Sequence, residues 1–233
     1  MNARQLFDLT GKTALVTGGG RGIGRHIAVG LAESGARVFV ASRKLDRCEE
    51  VVKEIEAAGG RATAVKADVG KNDDVSALAD AVLGATRRLD VLVNNAGIAC
   101  GGECAHTSIA EWQRTLNINL MGVVRGVREF VPMMEAQRAG LVINVASFAG
   151  LAGAPGLGAY GVSKAAVVAL SEGMRAELQP KGIRVSVLCP SFFKTNLLDS
   201  FQGGSDVPLK HLSLIHISEP TRRTPISYAV FCL

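Results

Sequence analysis

The stretch Lys12-Thr-Ala-Leu-Val-Thr17 runs directly into Gly18-Gly-Gly-Arg-Gly-Ile-Gly24. The first part is a short apolar run of strand length, and glycine then takes most of the following positions. That junction reads as a buried strand opening onto a tight turn. Gly22–Ser34 continues as a helix with Ile23, Ile27, Gly30 and Leu31 on one face. A strand, a glycine turn and a helix in that order form the first half of a βαβ unit, in which the crossover helix covers a parallel sheet.

The rest of the chain repeats the alternation. Strands are predicted at Arg37–Ala41 (RVFVA), Ala62–Lys66, Asp90–Asn94 (DVLVN), Leu141–Ala146 (LVINVA) and Ile183–Leu188 (IRVSVL). Helices are predicted at Leu45–Ala58, Asp73–Thr86, a long stretch from Ile109 to Ala136, and Ala159–Leu178. Apolar strands alternating with amphipathic helices imply a parallel sheet covered on both faces. The expected fold class is therefore α/β, a doubly wound parallel sheet in a single domain.

Composition is consistent with that fold. The chain has 233 residues, 48% of them hydrophobic, enough for one large domain with a substantial core. No uncharged run approaches the ~20 apolar residues of a membrane span, and residues 1–12 lack the apolar core of a signal peptide. Five cysteines without CxxC or metal-ligand spacing suit a reducing, cytoplasmic compartment, and no metal site is expected. The net charge is +5, but the charges are scattered and aromatics make up only 5% of residues. A clustered basic face with stacking aromatics is absent, which argues against nucleic acid.

The glycine turn brings backbone N–H groups towards a pyrophosphate, and the helix N-terminus behind it favours negative charge. Gly18, Gly20, Arg21, Gly22, Ile23 and Gly24 are the candidate contacts. The spacing is TGxxxGxG rather than GxGxxG, without the GK[ST] ending of a triphosphatase loop. Cofactor choice rests on the end of the second strand, where an acidic residue would hold the ribose hydroxyls of NAD. Here stand Ser42, Arg43 and Lys44. A guanidinium pairs with a 2′-phosphate that a carboxylate would repel, so NADP(H) is expected to be preferred over NAD(H). The alternative is that Arg43 and Lys44 only begin a solvated helix.

Tyr160 and Lys164 are one turn apart on a predicted helix and project from the same face. An ammonium beside a phenol is expected to lower its pKa from about 10, making the tyrosine a usable general acid or base. Ser147 stands at the end of the fifth strand, where such sheets place ligands, and can donate to a carbonyl oxygen.

With these motifs in order, the chain resembles the short-chain dehydrogenase/reductase family in its common single-domain branch, from about Leu9 to Asn196. The resemblance implies a Rossmann fold and a hydride-transfer reaction between a carbonyl and an alcohol. It makes TGGGRGIG (17–24) the cofactor turn, and Asp68 and Val69 the pair that contacts adenine. Asn94-Asn95-Ala96-Gly97 is similar to the family's NNAG, placing Asn95, Ala96 and Gly97 near the cofactor. Asn119, directly before Leu120, matches the catalytic asparagine, which holds a water linking the lysine to solvent. Ser147, Tyr160 and Lys164 match the catalytic serine and the YxxxK motif, with Lys164 also holding the nicotinamide ribose. Pro190 and Thr195 match the segment beside the nicotinamide, where Ser191 replaces the family's glycine. The implied substrate is a small, apolar carbonyl or alcohol, and the implied assembly a homodimer or homotetramer. A non-catalytic NADP(H)-binding sensor on the same fold is the alternative function, against which the intact Ser147, Tyr160 and Lys164 stand.

Other conspicuous residues favour structural roles. Cys100 and Cys104 read as loop residues that could touch substrate, Phe192 and Phe193 as pocket or core residues, and His26, His106 and Trp112 as surface or packing residues. The final stretch departs from the family. Residues 212–222 (LSLIHISEPTR) and 226–233 (ISYAVFCL) resemble a translated sequencing adapter. This implies a native domain over 1–211 and a non-native tail over 212–233. Such a domain is expected to lack the family's seventh, edge strand and the segment covering the substrate, so that the chain as written folds poorly or lacks activity although its full-length parent is active.

Overall fold

The computed structural model describes residues 7–153 and 155–190. Six strands, β1 (Thr13–Thr17), β2 (Arg37–Ser42), β3 (Arg61–Lys66), β4 (Val91–Asn94), β5 (Gly140–Val145) and β6 (Ile183–Leu188), form one parallel sheet in the order β3-β2-β1-β4-β5-β6. Between them run α1 (Gly22–Glu33), α2 (Leu45–Ala57), α3 (Asn72–Thr86), α4 (Ile109–Asn119), α5 (Met121–Gln137) and α6 (Gly158–Leu178). The predicted doubly wound sheet is present. Expectations for Thr195, Phe192, Phe193, the seventh strand and the tail lie outside the described residues.

The core follows the period of two of the strands. Ala14, Val16, Val38, Val40, Val91 and Val93 pack on one face beneath α1 and α2. Leu15, Phe39, Leu92 and Val142 point the other way, against Leu78 and Val82 of α3, Phe130 and Met134 of α5, and Met174 of α6. All five residues of β1 are buried. A central strand covered on both sides needs no polar alternation, which explains the uninterrupted apolar run.

Chain order reverses between β1 and β4: β2 and β3 lie to one side, β5 and β6 to the other. Val16 pairs with Val93, so the carboxyl ends of β1 and β4 come level. This is the switch point at which open α/β sheets form a ligand crevice.

The single helix predicted from Ile109 to Ala136 is instead two, meeting at Leu120 (φ −104°, ψ −58°). Bonding continues past the bend, from Leu120 N–H to Leu116 O and from Val124 N–H to Leu120 O, each 3.0 Å. Within that turn the Asn117 carbonyl accepts from the Arg125 guanidinium at 3.1 Å. A side chain inserted into the ladder is a recognised cause of a helix bend. Apolar periodicity persists through it, so periodicity alone reads one helix. A capping box of Ser108 and Glu111 starts α4.

A chain of buried polar groups ties α6 to the sheet. Asn94 of β4 donates to the Asn144 Oδ1 of β5 at 2.9 Å. Asn144 donates to Ser171 Oγ at 2.9 Å, and Ser171 to the Val167 carbonyl at 2.6 Å. Each residue is almost fully buried. Unlike apolar contacts, these bonds fix the rotation of α6 about its own axis, and Tyr160 and Lys164 stand earlier on the same helix. Asn144→Ala is expected to cost about 2–3 kcal/mol, because the Asn94 amide loses its buried acceptor and Ser171 a donor. Urea unfolding measures this; a loss below about 0.5 kcal/mol would remove the network from the stability of the fold.

At the amino end of the two central strands, Asp90 Oδ2 accepts the Thr13 N–H at 2.9 Å and Arg88 Nε at 3.0 Å. Burial alone raises the Asp90 pKa, but bonding from Arg88 and Thr13 and the charges of Arg88 and Lys12 outweigh it. The net shift is downward from 3.8. Because the folded value is depressed, this stabilisation is complete above the unfolded pKa and disappears as pH falls through the folded one. Asp90→Asn should therefore lower stability near neutrality, with the gap to the parent closing below pH ~4. Denaturation midpoints measured across that range are the check, and a gap constant with pH would contradict it.

Candidate active site

At the carboxyl end of β1, backbone segments come so close that side chains are excluded. Gly18 adopts φ +64°, and a Cβ there would lie 2.8 Å from Ala96 Cα. A Cβ on Gly24 would collide with the Gly18 carbonyl and the Asn95 side chain. Gly22 also has positive φ (+55°), but nothing lies within 4 Å of where its Cβ would be. The turn is thus packed tightly inward and open at Gly22. The first turn of α1 has no side-chain cap and no acidic residue. Orphan N–H groups at that helix end, beside an open glycine cradle, fit the pyrophosphate of a dinucleotide.

The neighbouring strand holds this cradle in place. Asn95 Nδ2 donates to the Thr17 and Gly18 carbonyls at 2.9 and 3.2 Å. Thr17 Oγ1 accepts the N–H groups of Asn95 (3.0 Å) and Ala96 (3.2 Å), and donates to the Val93 carbonyl at 3.2 Å. Asn95 and Ala96 thus serve the shape of the turn as well as bordering it.

The other candidate cofactor residues line the same edge. Ser42 donates to the Lys44 carbonyl at 2.9 Å and accepts the Cys48 thiol at 3.1 Å, so its hydroxyl shapes the turn into α2. A Cβ on Gly20 would come 3.1 Å from Ser42 Oγ, bringing those two candidates together. Arg21 and Arg43 are exposed. Asp68 Oδ1 accepts the Gly70 N–H at 2.9 Å, and Val69 is buried against Gly122. Pro190 accepts the Phe148 N–H at 2.9 Å, tying the end of β6 to the turn after Ser147.

Tyr160 and Lys164 lie in α6 and are 8% and 4% exposed, burial that sets their chemistry. Lys164 Nζ donates to the Val145 carbonyl at 2.8 Å and lies 5.9 Å from the Tyr160 ring centroid. Ser147 follows β5 directly; its Oγ accepts the Ala149 N–H at 3.2 Å and hydrogen-bonds with the Tyr160 phenol. Burial pushes the Tyr160 pKa above 10.0, with the Ser147 bond acting in the opposite direction. Burial also lowers Lys164 to about 8, partly opposed by Cys189. The sequence reading expects a lowered tyrosine pKa, whereas burial carries it upward here. The ammonium is turned towards the Val145 carbonyl, and desolvation of the phenolate decides the direction.

Asn119 is fully buried. Its Nδ2 donates to the Ile98 carbonyl and to Ser163 Oγ, each at 3.0 Å, and its Oδ1 accepts the Ile98 N–H at 2.8 Å. One Oδ1 lone pair is left for any water. A Cβ on Gly97 would lie 3.3 Å from that oxygen and 3.4 Å from Lys164 Nζ, so Gly97 separates the two.

Sequence reasoning singled out neither Ser163, which bridges Asn119 and the Tyr160 carbonyl (2.7 Å), nor Asn144 and Ser171. The available signal for Asn144 was an amide inside the apolar strand LVINV. Arg125 gave no signal, because its acceptors are distant in sequence. Among the described residues, no group of three or more His, Cys, Asp or Glu could hold a metal. No helix among them is long and apolar enough to cross a membrane.

Comparison with known proteins agrees with this geometry. Residues 12–204 match the family model described as short chain dehydrogenase. The 3-oxoacyl-[acyl-carrier-protein] reductase FabG of Staphylococcus epidermidis is 38% identical over 213 residues, covering 90% of this chain and 87% of that protein. A Beutenbergia cavernae structure assigned as an NAD(P) dependent gluconate 5-dehydrogenase, with bound NADP, aligns with TM-score 0.78 and 39% identity, over 82% of this chain and 76% of that one. A Burkholderia phymatum short chain dehydrogenase/reductase in complex with NAD aligns with TM-score 0.80 and 35% identity, over 92% of this chain and 75% of that one. A matched model spanning most of the chain, with the glycine cradle and the Ser–Tyr–Lys cluster at one sheet edge, leaves a single conclusion: this protein belongs to the short-chain dehydrogenase family and is an oxidoreductase.

Proposed function

We propose that this protein interconverts a carbonyl and an alcohol using NADP(H) in preference to NAD(H), with Tyr160 as the general acid or base. The observation that carries this reading is the cluster of buried Tyr160 and Lys164 with Ser147, beside a glycine cradle that added Cβ atoms would fill. Preference for the 2′-phosphate is supported by the exposed Arg21 and Arg43 beside the turn. Bound NADPH supplies the hydride.

The chain's residues handle the proton and the developing charge. A tyrosine whose pKa lies above 10.0 is protonated at neutral pH, the state needed to protonate an alkoxide during reduction. Ser147 Oγ donates to the same oxygen. Lys164 commits one N–H to Val145, and its remaining donors and charge serve the ribose and the phenolate left after proton transfer. Asn119 holds the Ile98 segment and Ser163 in place, and offers its free lone pair to a water that returns the proton. Asp68 and Val69 would hold the adenine, and Asn95, Ala96, Gly97 and Pro190 would line the rest of the cofactor.

Similarity to 3-oxoacyl-[acyl-carrier-protein] reductases makes 3-oxoacyl thioesters the first substrate class to test. A homodimer or homotetramer in the cytoplasm is proposed with it. The four free cysteines of the described residues suit a reducing compartment.

Tyr160→Phe should reduce NADPH-dependent turnover at least ~10³-fold while leaving the NADPH dissociation constant within about twofold. Turnover within tenfold of the parent would overturn the assignment. The Lys164 pKa gives a pH signature. Its charge is lost as pH rises through about 8, so kcat for reduction should decline above that value. Lys164→Met should be slow at every pH, without that inflection. A parental profile flat from pH 7 to 10 would contradict the role of Lys164 (range set by ordinary lysine and tyrosine titration).

A further inference from the structure

The segment after β3, Asp68-Val-Gly-Lys-Asn72, is held by one side chain from the opposite side of the crevice. Arg125 lies in the second turn of α5 and is half-buried. Its Nη1 donates to the Val69 carbonyl and the Asn117 carbonyl, each at 3.1 Å. Its Nη2 donates to Asn117 Oδ1 at 2.7 Å, and its Nε to Asn72 Oδ1 at 2.5 Å. Asn117 completes the ring by donating to the Gly70 carbonyl at 3.1 Å.

Two features set this apart from a surface arginine. Four acceptors on two separate segments converge on one planar fork, a geometry that a lysine ammonium cannot reproduce. The clamped carbonyl belongs to Val69, whose side chain packs on Gly122, where a Cβ would come within 2.9 Å of Val69 Cγ2. Backbone and side chain of the same residue are therefore both fixed from α5. The other arm of the clamp grips α4 two residues before Asn119, which is bonded to Ile98 and Ser163.

We propose that Arg125 is a positioning residue that sets the Asp68–Val69 segment for the adenine end of the cofactor, using the Asn119 end of α4 as its anchor. The inference rests on the cofactor reading above, in which Asp68 and Val69 face the adenine. Arg125 touches neither substrate nor reacting atoms; it acts through the Val69 carbonyl.

Isothermal titration of the whole chain with adenosine 2′,5′-bisphosphate tests this without relying on turnover. Both Arg125→Gln and Arg125→Lys should bind about tenfold more weakly than the parent, because the lysine keeps the charge and loses the fork. In steady-state assays, the KM for NADPH should rise about tenfold while kcat stays within about threefold, the split expected when ground-state binding alone is lost. Asn72→Ala removes one exposed acceptor and should weaken binding about two- to threefold, which decides the matter if an Arg125 variant does not fold. Parental affinity in Arg125→Lys, or in Asn72→Ala where the Arg125 variants fail to fold, overturns the clamp and leaves the cofactor reading standing. A parent that does not bind the bisphosphate overturns the cofactor reading, and the clamp with it.

Discussion

Close approach of backbone at the carboxyl end of β1 constrains the rest of the molecule. There the Gly18 carbonyl, the Gly24 backbone and the Asn95 amide share a space with no room for a Cβ on either glycine. A strand can turn into a helix this sharply only where side chains are absent and positive φ carries no penalty. Asn95 fills the remaining gap with hydrogen bonds to the Thr17 and Gly18 carbonyls. The turn thereby fixes the spacing of β1 and β4 as well as the direction of α1, and so defines the crevice between the two halves of the sheet.

On the β5 side of that crevice, polar bonding rather than apolar packing sets the geometry. Apolar contacts decide that α6 covers the sheet, but they tolerate rotation and sliding of the helix. The bonds from Asn94 through Asn144 to Ser171, and from Lys164 to the Val145 carbonyl, do not. Asn119 and Ser163 add a second set of bonds that ties α6 to α4. Tyr160 is thus buried, which raises its pKa. The same burial lowers Lys164 to about 8. One environment moves the two groups in opposite directions because it disfavours the charged form of each: the phenolate and the ammonium.

The bend at Leu120 and the Arg125 clamp belong together. A straight helix through this region would present its Asn117 carbonyl only to its own ladder. In the bent form that carbonyl accepts from Arg125, whose other donors reach Val69 and Asn72. The helix irregularity therefore links the Asp68–Asn72 segment with the end of α4 that holds Asn119.

Most of the fold was legible in the sequence. Its strands are short apolar runs, its helices are amphipathic, and the glycine turn separates the first of each, so the change from a short continuous apolar run to a 3.6-residue period marks the boundaries. The candidate residues were legible too, since Ser147, Tyr160 and Lys164 have reactive groups at telling positions. What sequence by itself could not determine was how long-range bonds aim those groups. Asn94 bonds to Asn144 across two strands, Asn119 to Ser163 between helices, and Arg125 to a loop on the far side of the crevice. Periodicity records only which face a residue presents, and it passed through Leu120 unchanged. Local pattern thus determined the elements, their order and the chemistry available. Tertiary structure decided the bend, the clamp and the pKa directions, because desolvation and hydrogen-bond geometry depend on neighbours that the chain supplies only after folding.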